Sequence, residues 1–122
     1  MATVVPKFPF FILTEVRPLT EEERLIVERL LVDQAAEYKS QLHSLLIVGR
    51  CGCGVCPTVF FQPHAPGDRE LDLVSYRGKD AEGGLVGVAL LEKEGVLSQL
   101  EFYSIDGHDP WTIPKVETLE PY

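Results

Sequence analysis

The sequence predicts an α+β domain in which an N-terminal amphipathic helix packs on an antiparallel β-meander of about five strands. Three observations carry this expectation: a capped amphipathic stretch after Thr20, short aliphatic runs separated by Gly and Pro, and a strong hairpin signal at Glu94-Gly95. With 122 residues, residues 1–122 read as a single domain able to fold without covalent staples. Hydrophobic residues at 45% and charged residues at 25% are ordinary for a globular chain and argue against disorder. Residues 1–19 are expected to form an extended N-terminal segment and 105–122 an irregular C-terminal cover.

The apolar run Phe8 to Leu13 is far shorter than the ~20 residues of a membrane helix. It has neighbouring prolines, and no small-residue cleavage site follows before Glu15 and Arg17. It therefore reads as a strand or extended cover, and the protein as cytoplasmic with no membrane partner. Thr20 and Glu23 have capping-box spacing, and Glu21, Glu22 and Glu23 complement the positive helix end. The helix should run from Glu21 to about Asp33, with Leu25, Ile26, Leu30 and Leu31 toward the core and Glu28 and Arg29 elsewhere. The charged face formed by Glu21, Glu22, Glu23 and Glu28 is the solvated side of such a helix. A short helical turn follows over Ala35 to Leu42.

Leu45 to Arg50 reads as a buried strand, Cys51 to Cys56 as a turn opened by Gly52 and Gly54, and Thr58 to Gln62 as the next strand. Pro63 to Asp68 is a loop, Leu71 to Arg77 a strand by alternation, and Gly78 to Gly84 a charged turn. Leu85 to Lys93 and Val96 to Ser104 form the hairpin around Glu94-Gly95. Pairing Lys93 with Val96 sets Leu91 by Ser98, Ala89 by Leu100 and Gly87 by Phe102, an apolar face expected to be core. Val86, Val88 and Leu90 then fall on the opposite face with Tyr103, Glu101 and Gln99. Beyond Asp106-Gly107, Pro110, Pro114 and Pro121 forbid a long regular element, though Trp111, Ile113, Val116 and Leu119 can pack.

The chemistry concentrates in Cys51, Cys53 and Cys56. Three thiols in a Gly-rich turn suit zinc or another soft metal, and His64, seven residues after Cys56, is the candidate fourth ligand. Two other readings compete: three small semi-buried thiols in a turn, and a Cys53-x-x-Cys56 thiol oxidoreductase. The redox reading is weakened by its context, because Pro57 and the run Thr58 to Phe61 announce a strand where a thioredoxin-like motif opens a helix. A cysteine nucleophile paired with His43, His64 or His108 can be written, but any such pairing is permissive. Asp106-Gly107-His108-Asp109 offers ligands for a harder metal, and its Asp-Gly turn signal favours a polar loop instead. Tyr38, Tyr76, Tyr103 and Trp111 suit either a binding face or ordinary packing.

With these motifs placed, the chain resembles a group of small bacterial proteins of unknown function over roughly Leu19 to Asp109. The markers are Leu19 to Arg24 (LTEEER), Gln41-Leu42, Val48 to Cys51, Cys56 to Thr58, and Leu100 to Ser104 followed by Asp106-Gly107. Gly54-Val55 here widens what is usually a tighter Cys-Gly-Cys-Pro run. The resemblance implies a helix followed by an antiparallel meander and no particular activity.

A net charge of −8 opposes binding to phosphate backbones, so nucleic acid is not expected as a partner. The same charge suits a basic protein partner. From the sequence the leading reading is thus a non-enzymatic binding or interaction module with an acidic surface, with a zinc-binding protein and a thiol oxidoreductase as alternatives.

Overall fold

The computed structural model describes residues 11–122, so the Phe8–Phe10 part of the expected first strand lies outside the described residues. The remainder is α+β, as expected, but the antiparallel sheet has seven strands and the main helix is not its first element. Strand β1 (Phe11–Pro18) precedes α1 (Glu21–Leu31). After α2 (Ala36–Lys39) and a 3₁₀ turn (Ser40–Ser44) come β2 (Leu46–Cys51), β3 (Val59–Phe60), β4 (Leu71–Lys79), β5 (Leu85–Lys93) and β6 (Val96–Ser104). The tail forms a 3₁₀ turn (Val116–Thr118) and β7 (Glu120–Pro121). The spatial order is β1-β2-β3-β6-β5-β4-β7. Only β4-β5-β6 is a simple meander, and the additional strands β1 and β7 extend the sheet on its two sides.

The capping box forms as the spacing requires. The Glu23 backbone N–H donates to Thr20 Oγ1 at 3.1 Å, and the Thr20 N–H donates to Glu23 Oε1 at 2.8 Å. Glu23 is nevertheless buried, and its second function is tertiary: Arg17 of β1 donates to both carboxylate oxygens, at 2.9 and 3.1 Å. The bidentate pair offsets the desolvation of the carboxylate and fixes α1 to β1. Ile26, Val27, Leu30 and Leu31 of α1 bury their side chains, whereas Leu25 stays half-exposed.

The hairpin departs from the expected register. Glu94 and Gly95 both take positive φ, at 54° and 83°, and Lys93 pairs with Val96. One step on, Glu92 pairs with Leu97 but Leu91 with Gln99, which leaves Ser98 as an extra residue in β6. Because side chains alternate with period two, this bulge exchanges the faces of everything beyond it. Val86, Val88 and Leu90, not Gly87, Ala89 and Leu91, join Leu100 and Phe102 in the core with Ile47, Val59, Tyr76 and Leu119. Gly87 lies opposite Tyr103 instead of Phe102, and a Cβ there would come within 2.2 Å of the tyrosine ring. A second irregularity in β4, between Asp72 and Val74, likewise breaks the simple alternation read from Leu71 to Arg77 and lets Tyr76 point into the core.

At the hairpin tip, side chains pair with backbone groups of the turn and the start of β6. Gln41 Oε1 accepts from the Leu97 N–H at 2.9 Å, and Gln41 Nε2 donates to the Gly95 carbonyl at 2.9 Å. Glu92 accepts from the Gly95 N–H at 2.7 Å and from the Tyr38 hydroxyl at 3.1 Å. Tyr38 is thus a fastener between α2 and the hairpin tip.

The tail is fixed by a second buried carboxylate. The Asp80 side chain is inaccessible to solvent. Its Oδ1 accepts from the backbone N–H of Gly84 at 2.9 Å and Glu82 at 3.0 Å, and its Oδ2 from that of Thr112 at 3.1 Å. His108 Nε2 lies 2.7 Å from Oδ2, while His108 Nδ1 meets Asp106. Asp106-Gly107-His108-Asp109 is therefore a clamp between the β4–β5 turn and the tail. The tail beyond it is more regular than expected, since β7 pairs with β4 and Leu119 is buried.

Two measurements test this architecture. Replacing Gln41 with Ala leaves the Leu97 N–H without its partner and should lower the unfolding free energy by about 1–3 kcal/mol in urea titrations. Donation from its ring to the Asp80 and Asp106 carboxylates raises the His108 pKa above its usual 6.5. The stabilisation is then complete below about pH 6.5 and is lost as pH rises through the higher folded value. Asp80 is lowered chiefly by the His108 hydrogen bond, and Asp106 chiefly by the Leu85 N–H, so their contribution holds above about pH 3.8 and is lost on acidification below it. The urea midpoint of the protein minus that of His108→Gln should fall between pH 6 and pH 9, a difference in which groups outside the clamp cancel.

Candidate metal centre in the thiol loop

The thiol loop lies between the end of β2 and the short strand β3. Cys51 is the last residue of β2, where it pairs with Phe11 of β1 and donates its N–H to the Thr58 carbonyl at 3.2 Å. The chain then leaves the ladder, turns at Gly54 with φ 77°, exposes Val55 and returns through Pro57. Gly52 does not need positive φ, so one of the two glycines singled out in the sequence makes the turn. Strand β3 is shorter than the Thr58 to Gln62 run suggested, because Thr58 is used otherwise. Its hydroxyl takes part in hydrogen bonds with both the N–H and the carbonyl of Phe102, at 3.0 and 3.4 Å, anchoring the loop's end to β6.

This loop brings the three sulfurs together. The Sγ atoms of Cys51, Cys53 and Cys56 all lie within 4.8 Å of one another, and those of Cys53 and Cys56 are 3.2 Å apart. A zinc–sulfur bond of about 2.3 Å sets sulfurs about 3.8 Å apart on a tetrahedron, a separation within the 4.8 Å limit that holds for all three. Three partly buried thiols of soft character are the donor set expected for zinc, and these residues fit that ion.

The loop also differentiates its thiols. Burial raises the pKa of Cys51, the Cys53 backbone N–H opposes it, and the Cys53 and Cys56 thiols add to the rise, leaving the thiol pushed up to about 12. Burial acts upward on Cys53 as well, but the N–H groups of Cys56 and Val55 point at its sulfur from 3.3 and 3.5 Å, and the neighbouring thiols assist. The outcome for Cys53 is a thiol lowered to about 7. Arg50, the nearest cation in sequence, donates to the Cys51 carbonyl at 3.2 Å.

Among the described residues, the convergent set of potential ligands consists of the three cysteines, and His64 is not a member of it. His64 instead shares a hollow of about 280 Å³ with Cys51 and Cys56, lined also by Gln99, Glu101 and Tyr103. Its Nδ1 sits 2.5 Å from Glu70 Oε1 and its ring leans on Phe60. Glu70 is itself held, accepting from Ser98 Oγ at 2.6 Å and Gln99 Nε2 at 2.9 Å. No sequence pattern marked Glu70, because its role arises from the bulge that turns Ser98 and Gln99 toward it. The other histidines are placed elsewhere: His43 is exposed on the 3₁₀ turn, and His108 serves the tail clamp. Trp111 lies half-buried against the core, and Tyr76 is buried in it beneath the Arg29 guanidinium.

No helix among the described residues is long and apolar enough to cross a membrane. Comparisons with protein-family models, curated proteins and solved structures give no match to this chain.

In metal-free protein, alkylation by iodoacetamide followed residue by residue should be fastest at Cys53, with a rate that rises through about pH 7. Cys51 should remain slow until strongly alkaline pH. Equal rates at the two positions would contradict the loop geometry.

Proposed function

We propose that this protein binds a soft metal ion, zinc in the first instance, through the thiolates of Cys51, Cys53 and Cys56, with His64 completing the set. The observation that carries this reading is the convergence of three sulfurs within 4.8 Å on one short loop between two strands. His64 is supported by its orientation. It lines the same hollow as Cys51 and Cys56, and Glu70 holds its Nδ1, the arrangement in which ligating histidines present the other nitrogen to a metal.

The core is apolar and continuous without the loop, so the metal is an addition to a folded domain rather than its folding nucleus. The acidic-module reading rests on a net charge of −8 alone. The thiol cluster is the more specific feature, and metal binding therefore takes precedence over a basic protein partner. A reducing compartment such as the cytoplasm keeps the ligands available.

Cobalt(II) is the direct probe. One equivalent should bind, with sulfur-to-metal charge-transfer bands and the strong visible absorption of a tetrahedral site, and zinc should displace it. Replacing any one of the three cysteines with Ser should abolish that spectrum, and Glu70→Gln should weaken binding by about 10–100-fold through loss of ring orientation. Substoichiometric metal with three freely titratable thiols would overturn the proposal.

A further inference from the structure

We propose that Cys53 and Cys56 form an oxidation site for peroxide, and that their closure into a disulfide dismantles the three-thiolate set. The release of metal rests on the metal-binding reading above, whereas the choice of disulfide rests on the loop geometry alone. The two sulfurs are already 3.2 Å apart, against about 2.05 Å in a disulfide. They flank a turn outside the sheet ladder, with Gly54 and the largely exposed Val55 between them, so little packing resists the remaining approach. Cys51 is held differently. It belongs to β2, pairs with Phe11 and is bonded to Thr58 through its N–H, so bridging it would strain the strand. None of the three cysteines is fully buried.

The chemistry closes on itself. One sulfur of the pair, as thiolate, attacks a peroxide oxygen, the O–O bond breaks, and hydroxide leaves to become water on taking a proton. The resulting sulfenic acid is attacked by the second sulfur, forming the S–S bond and expelling a second water. Two electrons from the two sulfurs reduce one hydrogen peroxide to two waters, the protons coming from the thiols or, when metal is bound, from solvent. Cys51 and His64 then remain as ligands, half of the four that zinc requires, and the ion leaves. An external dithiol reverses the step by exchange.

The test uses zinc-loaded full-length protein exposed to hydrogen peroxide in the presence of a chromogenic zinc chelator, with thiol counting and peptide mapping. The expected result is two thiols lost per zinc released, a Cys53–Cys56 disulfide, and recovery of zinc binding after dithiothreitol. Cys51→Ser should still form that disulfide in metal-free protein, and Cys53→Ser or Cys56→Ser should form none. A bridge involving Cys51, oxidation to sulfinic acid without a disulfide, or zinc release without thiol loss would overturn the proposal. Should the protein bind no zinc, the metal reading fails by itself, and mapping the peroxide-treated metal-free protein still decides the pair.

Discussion

The extra residue Ser98 in β6 is the constraint on which the remainder of this structure depends. Without it, the hairpin would turn Gly87, Ala89 and Leu91 toward the helix and send Val86, Val88 and Leu90 to the far face. With it, three large aliphatic side chains of the central strand meet Ile26, Val27 and Leu30 of α1, and each is shielded from water. At about 1.5–3 kcal/mol for each such side chain buried, the choice of face outweighs the cost of one interrupted ladder step. The far face is not left open either. Tyr103 covers Gly87, and Ala89 and Leu91 are buried there as well, so β5 is enclosed on both sides.

The same bulge organises the neighbourhood of the thiols. Ser98 and Gln99 project toward Glu70, whose carboxylate they hold together with His64, and this places an oriented imidazole beside the hollow that Cys51 and Cys56 share. A core-packing decision on one face thus prepares a polar network on the other. Buried carboxylates recur in this role throughout the molecule. Glu23 ties the helix to β1, Glu92 closes the hairpin tip, Asp80 fastens the tail, and each is supplied with enough donors to offset its desolvation. These three of the 19 acidic residues are thus structural rather than part of a charged surface.

The sequence by itself determined the elements governed by local chemistry. Thr20 and Glu23 cap a helix because their spacing is set by one helical turn, Glu94-Gly95 makes a tight hairpin because both positions must accept positive φ, and Cys51 to Cys56 is a turn because glycine and proline leave little else. The sequence put three thiols on that one turn, and their convergence was left to the fold. Tertiary structure alone decided the rest. A bulge shows no local sequence signal, since either face of the hairpin offers apolar residues, and only packing against α1 selects Val86, Val88 and Leu90. Strand β7, and the continuation of β1 beyond Leu13, depend on edges that exist only after the sheet has formed. Asp80 and Glu70 acquire their partners, His108 and His64, from 28 and 6 residues away in sequence through loops that no periodicity describes. The thiol cluster was legible as three neighbouring residues; the unequal thiols within it and the buried Glu70–His64 pair beside it come from how the surrounding strands hold them.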